Sequence, residues 1–206
     1  MKIYLMRHGE TDWNKVRRLQ GQSEVPLNEH GVELAKKTAE GLKAVRFDAI
    51  FSSPLQRALV TAEIMAGDRP VTVVTDDRLK EMNFGIYEGQ SFETPEQAAR
   101  HPLRQPEKYV PMGGGETIAE VKERTYDFLR EKILPLENSC SNVLIVAHGV
   151  VNRCMLNRIA DIPDRDFWQI QLPSCAVSVL SLEDGKFSII EQSRVYYGEP
   201  VNGSPM

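Results

Sequence analysis

Two short stretches of this chain follow one pattern, in which an apolar run ends in a histidine and a glycine and a helix-forming segment follows. Ile3-Tyr4-Leu5-Met6 leads into Arg7-His8-Gly9, and Val143-Leu144-Ile145-Val146 leads through Ala147 into His148-Gly149. Apolar runs this short, without alternation, mark strands covered on both faces. Such strands separated by helical segments predict a three-layer α/β/α sandwich with a mostly parallel central sheet. In sheets of that kind ligands bind in the crevice beyond the carboxyl ends of the strands, so His8 and His148 are placed for chemistry. Taken alone, either histidine reads equally as a functional group or as a polar cap on a strand.

The remaining elements follow from periodicity and punctuation. Asp12 to Val25 is polar and without period, a loop with at most a helical turn. Asn28 predicts the cap of a helix from about Glu29 to Val45 whose core face is Val32, Ala35, Ala39, Leu42 and Val45, although Gly31 and Gly41 weaken it. Ala49 to Ser52 reads as a strand. Ser53-Pro54 reads as a capped helix start, with Pro54 at the first helical position, Arg57 in the first turn and an end near Ala66. Val71 to Thr75 is a third strand, and Glu81 to Gly89 is an irregular loop with two carboxylates.

Residues 91–115 hold four prolines and then Gly113, Gly114 and Gly115, which predicts an inserted flap with a helix only near 96–100. Thr117-Ile118-Ala119-Glu120 is a capping box, and Ile118, Val121, Thr125, Phe128, Leu129 and Ile133 line one face of the helix it opens. Asn142 to Ala147 is a strand, followed by a helix from Val150 to about Ala160. Asp184-Gly185 sits between two strand-like runs, 176–182 and 187–192, as a hairpin turn. The tail from Gly198 to Met206 reads as loose. One domain over 1–206, carrying the flap, is expected.

Composition narrows the ligand. With 25 basic and 29 acidic residues the net charge is -4, so no broad basic face for nucleic acid is expected and an anion must be held locally. Cys140, Cys154 and Cys175 are widely spaced and suggest neither a disulfide framework nor a zinc site. No run has the length of a membrane span and no leader is recognisable, so a reducing cytoplasm and no membrane partner are expected. A monomer and a homodimer are both compatible with the sequence.

On the α/β architecture Arg7, His8, Arg57, Glu81 and His148 converge at strand carboxyl ends, and together they suit a phosphate monoester. Arg7 and Arg57 can fork onto non-bridging oxygens, and a protonated His148 can donate another charged hydrogen bond. His8, kept neutral by those cations, presents a free ring nitrogen to phosphorus. Glu81 can protonate the departing alkoxide and then activate water, with Glu88 the second choice. Asn14, Gln20 and Gly21 are candidate neutral donors. The set needs no metal and no cofactor, and neither a metal-ligand spacing nor a nucleotide phosphate loop occurs. His30 and His101 read as solvated surface residues, and Trp13 and Trp168 as packing residues. Tyr87, Arg104, Lys108 and Tyr109 read equally as substrate contacts or ordinary surface.

Arg7-His8-Gly9-Glu10-Thr11, the segment from Ser52 to Ala58, the Glu81 to Gly89 loop, Gly114-Gly115-Glu116-Thr117 and His148-Gly149, in that order, resemble the histidine phosphatase superfamily, also called the phosphoglycerate mutase-like family. The resemblance implies that His8 is the phosphorylated nucleophile. It also implies a phosphate pocket of Arg7, Arg57 and His148-Gly149, Asn14 as a phosphate-side contact and Glu81 as proton donor. Arg18-Leu19-Gln20-Gly21 and Pro26-Leu27-Asn28 look more like the small phosphatases, α-ribazole phosphatase and the broad-specificity enzymes among them, than like the longer glycolytic mutases. The expected activity is therefore metal-independent hydrolysis of a small phosphorylated metabolite. A cofactor-dependent phosphoglycerate mutase is the alternative, and a silent phospho-ligand binding module the third reading.

Overall fold

The computed structural model describes residues 1–197, so the tail from Gly198 lies outside the described residues. Six strands form one sheet: β1 (Lys2–Arg7), β2 (Ala49–Ser52), β3 (Val73–Thr75), β4 (Asn142–Ala147), β5 (Val177–Glu183) and β6 (Lys186–Arg194), in the order β3-β2-β4-β1-β5-β6. The first four strands in that order are parallel, and the last two add an antiparallel hairpin. The two histidine-bearing strands, β1 and β4, are central neighbours.

Their apolar runs are continuous because both faces are covered. Ile3 and Leu5 of β1, with Val143 and Ile145 of β4, face α5 (Ile118–Phe128) and α6 (Gly149–Ile159). Tyr4, Met6, Leu144 and Val146 face α2 (Glu29–Gly41) and α3 (Gln56–Ala66). The result is the expected three-layer α/β/α sandwich. Two short helices, α1 (Asp12–Lys15) and α4 (Pro95–Ala98), lie in the connections.

Local chemistry explains where expectation and structure agree and differ. The Thr117–Glu120 capping box forms, and the six residues expected on the face it opens are all buried, the last two in a π-helical turn, Leu129–Ile133. Asp184 and Gly185 both have positive φ, 52° and 73°, as a tight hairpin turn requires. Asn28 caps α2, but α2 stops at Gly41 and buries Gly31, Leu34, Ala35 and Thr38, with Val32 and Ala39 only half-buried. Gly31 sets that rotation, because a Cβ there would stand 2.1 Å from the carbonyl oxygen of Glu10. α3 begins two residues later than Ser53-Pro54 suggests and has no side-chain cap.

Candidate active site

Strand register builds the centre of the site. β1 and β4 pair in parallel with Arg7 opposite Ala147, so the residues that follow, His8 and His148, stand side by side with ring centroids 5.0 Å apart. β2 is the other neighbour of β4, which brings Ser53 to the same place: its hydroxyl lies 2.8 Å from His148 Nε2. His8 Nδ1 is 2.6 Å from the carbonyl oxygen of Gly9. A carbonyl can only accept, so Nδ1 carries the proton and Nε2 keeps a free lone pair. The loop is fixed from α3, where Thr61 Oγ1 accepts from Gly9 N–H at 3.0 Å and donates to the carbonyl of Arg57.

Two guanidiniums border the histidines. Arg57 is 1% exposed and spends two N–H donors on the carbonyls of Gly21 and Ser23, at 2.6 and 2.8 Å. Arg7 spends one on the carbonyl of Leu172 at 2.6 Å. Each therefore retains most of a guanidinium's five donors. The Nε–H groups of both arginines, and Nδ1 of His148, are buried without a partner. Buried donors in that condition await an acceptor.

Glu81 is 8% exposed, and its carboxylate accepts from the backbone N–H groups of Met82, Val150 and Val151 at 2.9, 3.2 and 3.3 Å. It thus closes the first turn of α6 while lining the same cavity as His8. Arg124 and Gln22 hold its backbone carbonyl at 3.2 and 3.0 Å. Arg124 is itself paired with Glu116 of the Gly-Gly-Glu-Thr segment at 2.7 Å. Glu88 has a different task. Its oxygens accept from Gln22 N–H, Ser23 O–H and Phe84 N–H at 2.9, 2.7 and 3.2 Å, which braces the loop that grips Arg57.

Arg7, His8, Arg57 and Glu81 line a cavity of about 70 Å³, while His148 is wholly buried beside His8 and is not itself part of the lining. Larger open clefts, such as the one of about 350 Å³ beside Phe47 and Arg69, lack this constellation. Asn14 lines the cavity with its oxygen committed to Thr11, leaving its NH2 to offer. Gln20 has an unpaired buried Oε1, and a half-turn of the amide presents the NH2 instead. Gly21 acts through its carbonyl on Arg57, at a φ of 54° that suits glycine. Gly149 also lines the cavity, and its missing side chain admits Arg7 and Arg153, which would stand 3.7 and 3.4 Å from a Cβ there.

His101 is not the surface residue the sequence suggests. It roofs the cavity from the flap, with its ring 4.7 Å from that of Phe92 and 6.2 Å from that of Trp168. Trp168, expected only to pack, lines the same roof and donates its indole N–H to the carbonyl of Leu103. Arg153, 2% exposed, stands behind Gly149. Sequence reasoning missed Ser53 as a ligand of His148, Thr61, Arg153 and the roof. The signal the sequence held for Arg153 was a charged residue four positions after Gly149, among the apolar residues of the helical segment.

Burial, then Arg57 and Arg7, hold the His8 pKa well below 6.5. Burial is the larger cause, not the cations alone. The same causes, with His8 added, hold His148 well below 6.5, so in the ligand-free protein it is neutral, not the charged donor expected. Burial brings His101 down to about 4. Arg7, Arg57 and Arg153 face one buried carboxylate, Glu81, and this excess of positive charge suits a dianion.

The fold and site define a class: an α/β protein with paired histidines and a buried cation cluster beyond the carboxyl ends of parallel strands. The chain belongs to the histidine phosphatase superfamily, branch 1, whose family model matches residues 3–193. It is 36% identical over 183 residues to a probable phosphoglycerate mutase, GpmB, of Proteus mirabilis, covering 86% of this chain and 83% of that one. Among solved structures, Bacillus stearothermophilus YhfR superposes with a TM-score of 0.83 at 31% identity, covering 94% of this chain and 97% of that chain. The α-ribazole phosphatase of Shigella flexneri gives 0.82 at 25% identity, covering 94% and 96%.

Proposed function

We propose that the protein is a phosphatase that hydrolyses a small phosphomonoester through a phosphohistidine on His8. The phosphoryl oxygens accept from Arg7, Arg57, His148 and the amide of Asn14, with Gln20 and Gly149 completing the cradle. His8 Nε2 attacks phosphorus, the bond from phosphorus to the alcohol oxygen breaks, and Glu81, which enters the cycle in its carboxylic-acid form, gives the alkoxide its proton and becomes the carboxylate. The Gly9 carbonyl stabilises the charge that the ring acquires, through Nδ1–H. Water then attacks the phosphohistidine and loses its proton to Glu81, the bond to nitrogen breaks, and phosphate leaves with the enzyme restored. No step calls for a metal. Gly21 and Glu88 serve by holding Arg57, not by touching substrate.

One observation carries the choice of hydrolysis over isomerisation. A mutase must hold a second anionic group of the same molecule. Apart from the polar groups already placed, the cavity is lined by Leu19, Phe84, Leu103, Val150 and Trp168, and among the described residues its one cation beyond Arg7 and Arg57 is Arg18, exposed and stacked over Trp13 at 5.3 Å. A wall of this kind favours a neutral alcohol, and it favours water over a second phosphorylated ligand. The names of the relatives divide between the two reactions, as probable phosphoglycerate mutase and α-ribazole phosphatase.

The test is a panel of phosphorylated metabolites with free phosphate and isomerised product measured side by side, in chelator. Phosphate release that His8→Ala abolishes, with an acid-labile and base-stable phosphoenzyme in the wild type, supports the reading. Conversion of 3-phosphoglycerate with little phosphate release, dependent on a bisphosphorylated primer, establishes the mutase instead.

A further inference from the structure

The roof of the cavity is joined to the buried charge cluster by a continuous set of contacts. Leu103, wholly buried, is held at both ends of its backbone: its N–H donates to His101 Nδ1 at 3.1 Å, and its carbonyl accepts the indole N–H of Trp168 at 2.8 Å. The Trp168 ring carries the guanidinium of Arg153 over its face, 4.6 Å from carbon to centroid. Arg153 in turn donates to the carbonyls of Ile170 and Gly149 at 3.0 and 3.2 Å. Two residues on from Ile170, the Leu172 carbonyl holds Arg7.

Arg153 is energetically conspicuous. Its two hydrogen-bond partners are neutral carbonyls, and no salt bridge links it to a carboxylate among the described residues. Burial and the nearby Arg7 lower its pKa to about 9. A buried cation in that condition is costly, and the cost falls when an anion enters the same low-dielectric region. A phosphoryl dianion on Arg7 and Arg57 is such an anion, separated from Arg153 by the bare Cα of Gly149. An anion there would offset the repulsion between Arg7 and Arg153 and so favour the guanidinium in its place over Trp168, whose N–H bonds the Leu103 carbonyl.

We propose that Trp168 and Arg153 form a strap that couples closure of the flap over the alcohol portion of the ligand to the presence of a phosphoryl dianion in the pocket. Trp168 is then a specificity-setting residue and Arg153 a positioning residue, since neither needs to touch phosphorus. The proposal deepens the phosphatase reading, on which it rests for the identity of the anion.

Amide hydrogen exchange over residues 99–105, with and without inorganic phosphate, tests the strap without using turnover. In the wild type, phosphate is expected to slow exchange there roughly tenfold. Trp168→Phe leaves an aromatic ring for Arg153, with a weaker cation–π contact, and removes the N–H bond to Leu103. It should bind phosphate within about twofold of wild type yet lose about fivefold of the protection, the worth of one neutral hydrogen bond. Arg153→Met should both weaken phosphate and abolish the protection. With substrates, Trp168→Phe should narrow the preference between bulky and small alcohols, read as the ratio of their KM values. Equal protection of the flap in wild type and Trp168→Phe, or no protection by phosphate in the wild type, overturns the proposal. If Arg153→Met does not fold, the Trp168→Phe comparison decides alone. A protein that proved to be a mutase would still pass or fail the exchange test on its own terms.

Discussion

The hydroxyl of Ser53 lies 2.8 Å from Nε2 of His148, and both residues are wholly buried. Nδ1 of the same ring has no partner, so among the described residues Ser53 is the one hydrogen-bond partner that holds the His148 ring in its orientation beside His8. Ser53→Ala leaves Nε2 of His148 buried and unpaired as well. It is expected to cost about 1–3 kcal/mol of stability, read by urea denaturation. It should also weaken inorganic phosphate as an inhibitor, because a ring free to turn offers Nδ1 less often.

Ser53 also marks where sequence reading stops. Ser followed by Pro is a sound local signal for a helix start, but the side chain was claimed by a residue 95 positions away, and local rules carry no information about such partners. The strands, the Thr117 capping box and the hairpin turn were legible because each is decided within a few residues. The positions of Arg7, His8, Arg57, Glu81 and His148 were legible because strand ends and chemistry coincide. The rotation of α2 was not, since it depends on the close approach of Gly31 to Glu10. His101 was misread, and the part of Trp168 in the roof was missed though it packs as expected, for the same reason: what makes them roof residues is how a proline-rich flap folds back, and no period records that.

Glu88 braces Arg57 from a distance, and this can be broken in two ways. A Cβ on Gly21 would lie 2.0 Å from Glu88 Oε1, so Gly21→Ala must displace a carboxylate that holds three donors, besides straining a positive φ. Glu88→Ala removes the same three bonds directly. Both variants should lose roughly 3 kcal/mol of stability. Both should raise KM more than they lower kcat, because Arg57 is displaced while the reacting groups remain. An unchanged KM in both would show that the loop holds Arg57 without this brace.

Acid sensitivity follows from the histidines. His8 and His148 are held well below 6.5 and His101 at about 4, so as pH falls through 6.5 the unfolded chain takes up protons that the folded one refuses. The stability they contribute is therefore whole above about pH 7 and is lost as the pH drops below 6.5, at up to about 1.4 kcal/mol per pH unit for each histidine. Urea midpoints at pH 7.5, 6.5 and 5.5 should fall modestly across the first pair and roughly three times as much across the second, a window in which ordinary carboxylates do not titrate. Inorganic phosphate should reduce the fall, since an anion beside His148 favours its charged form. Calorimetric titration in buffers of different ionisation enthalpy should then show proton uptake on binding.

The last prediction separates the two carboxylates of the loop by chemistry. Glu81 closes α6 through acceptor bonds to Val150 and Val151 and faces the cavity, whereas Glu88 is committed to the loop. Glu81→Gln keeps an acceptor oxygen for the helix but cannot deliver a proton to an alkoxide. Its kcat should fall by about 10² to 10⁴ on alkyl phosphates. With an ester whose alcohol is acidic enough to leave as an anion, formation of the phosphoenzyme needs no proton, so the first step should be nearly normal. The second step still needs a base for water. Glu81→Gln should accordingly accumulate phosphoenzyme on such a substrate, visible as a burst of alcohol followed by slow turnover, while Glu88→Gln should show neither burst nor accumulation. Equal loss on both kinds of ester, without a burst, would remove Glu81 from the proton-transfer role and leave it as the cap of α6.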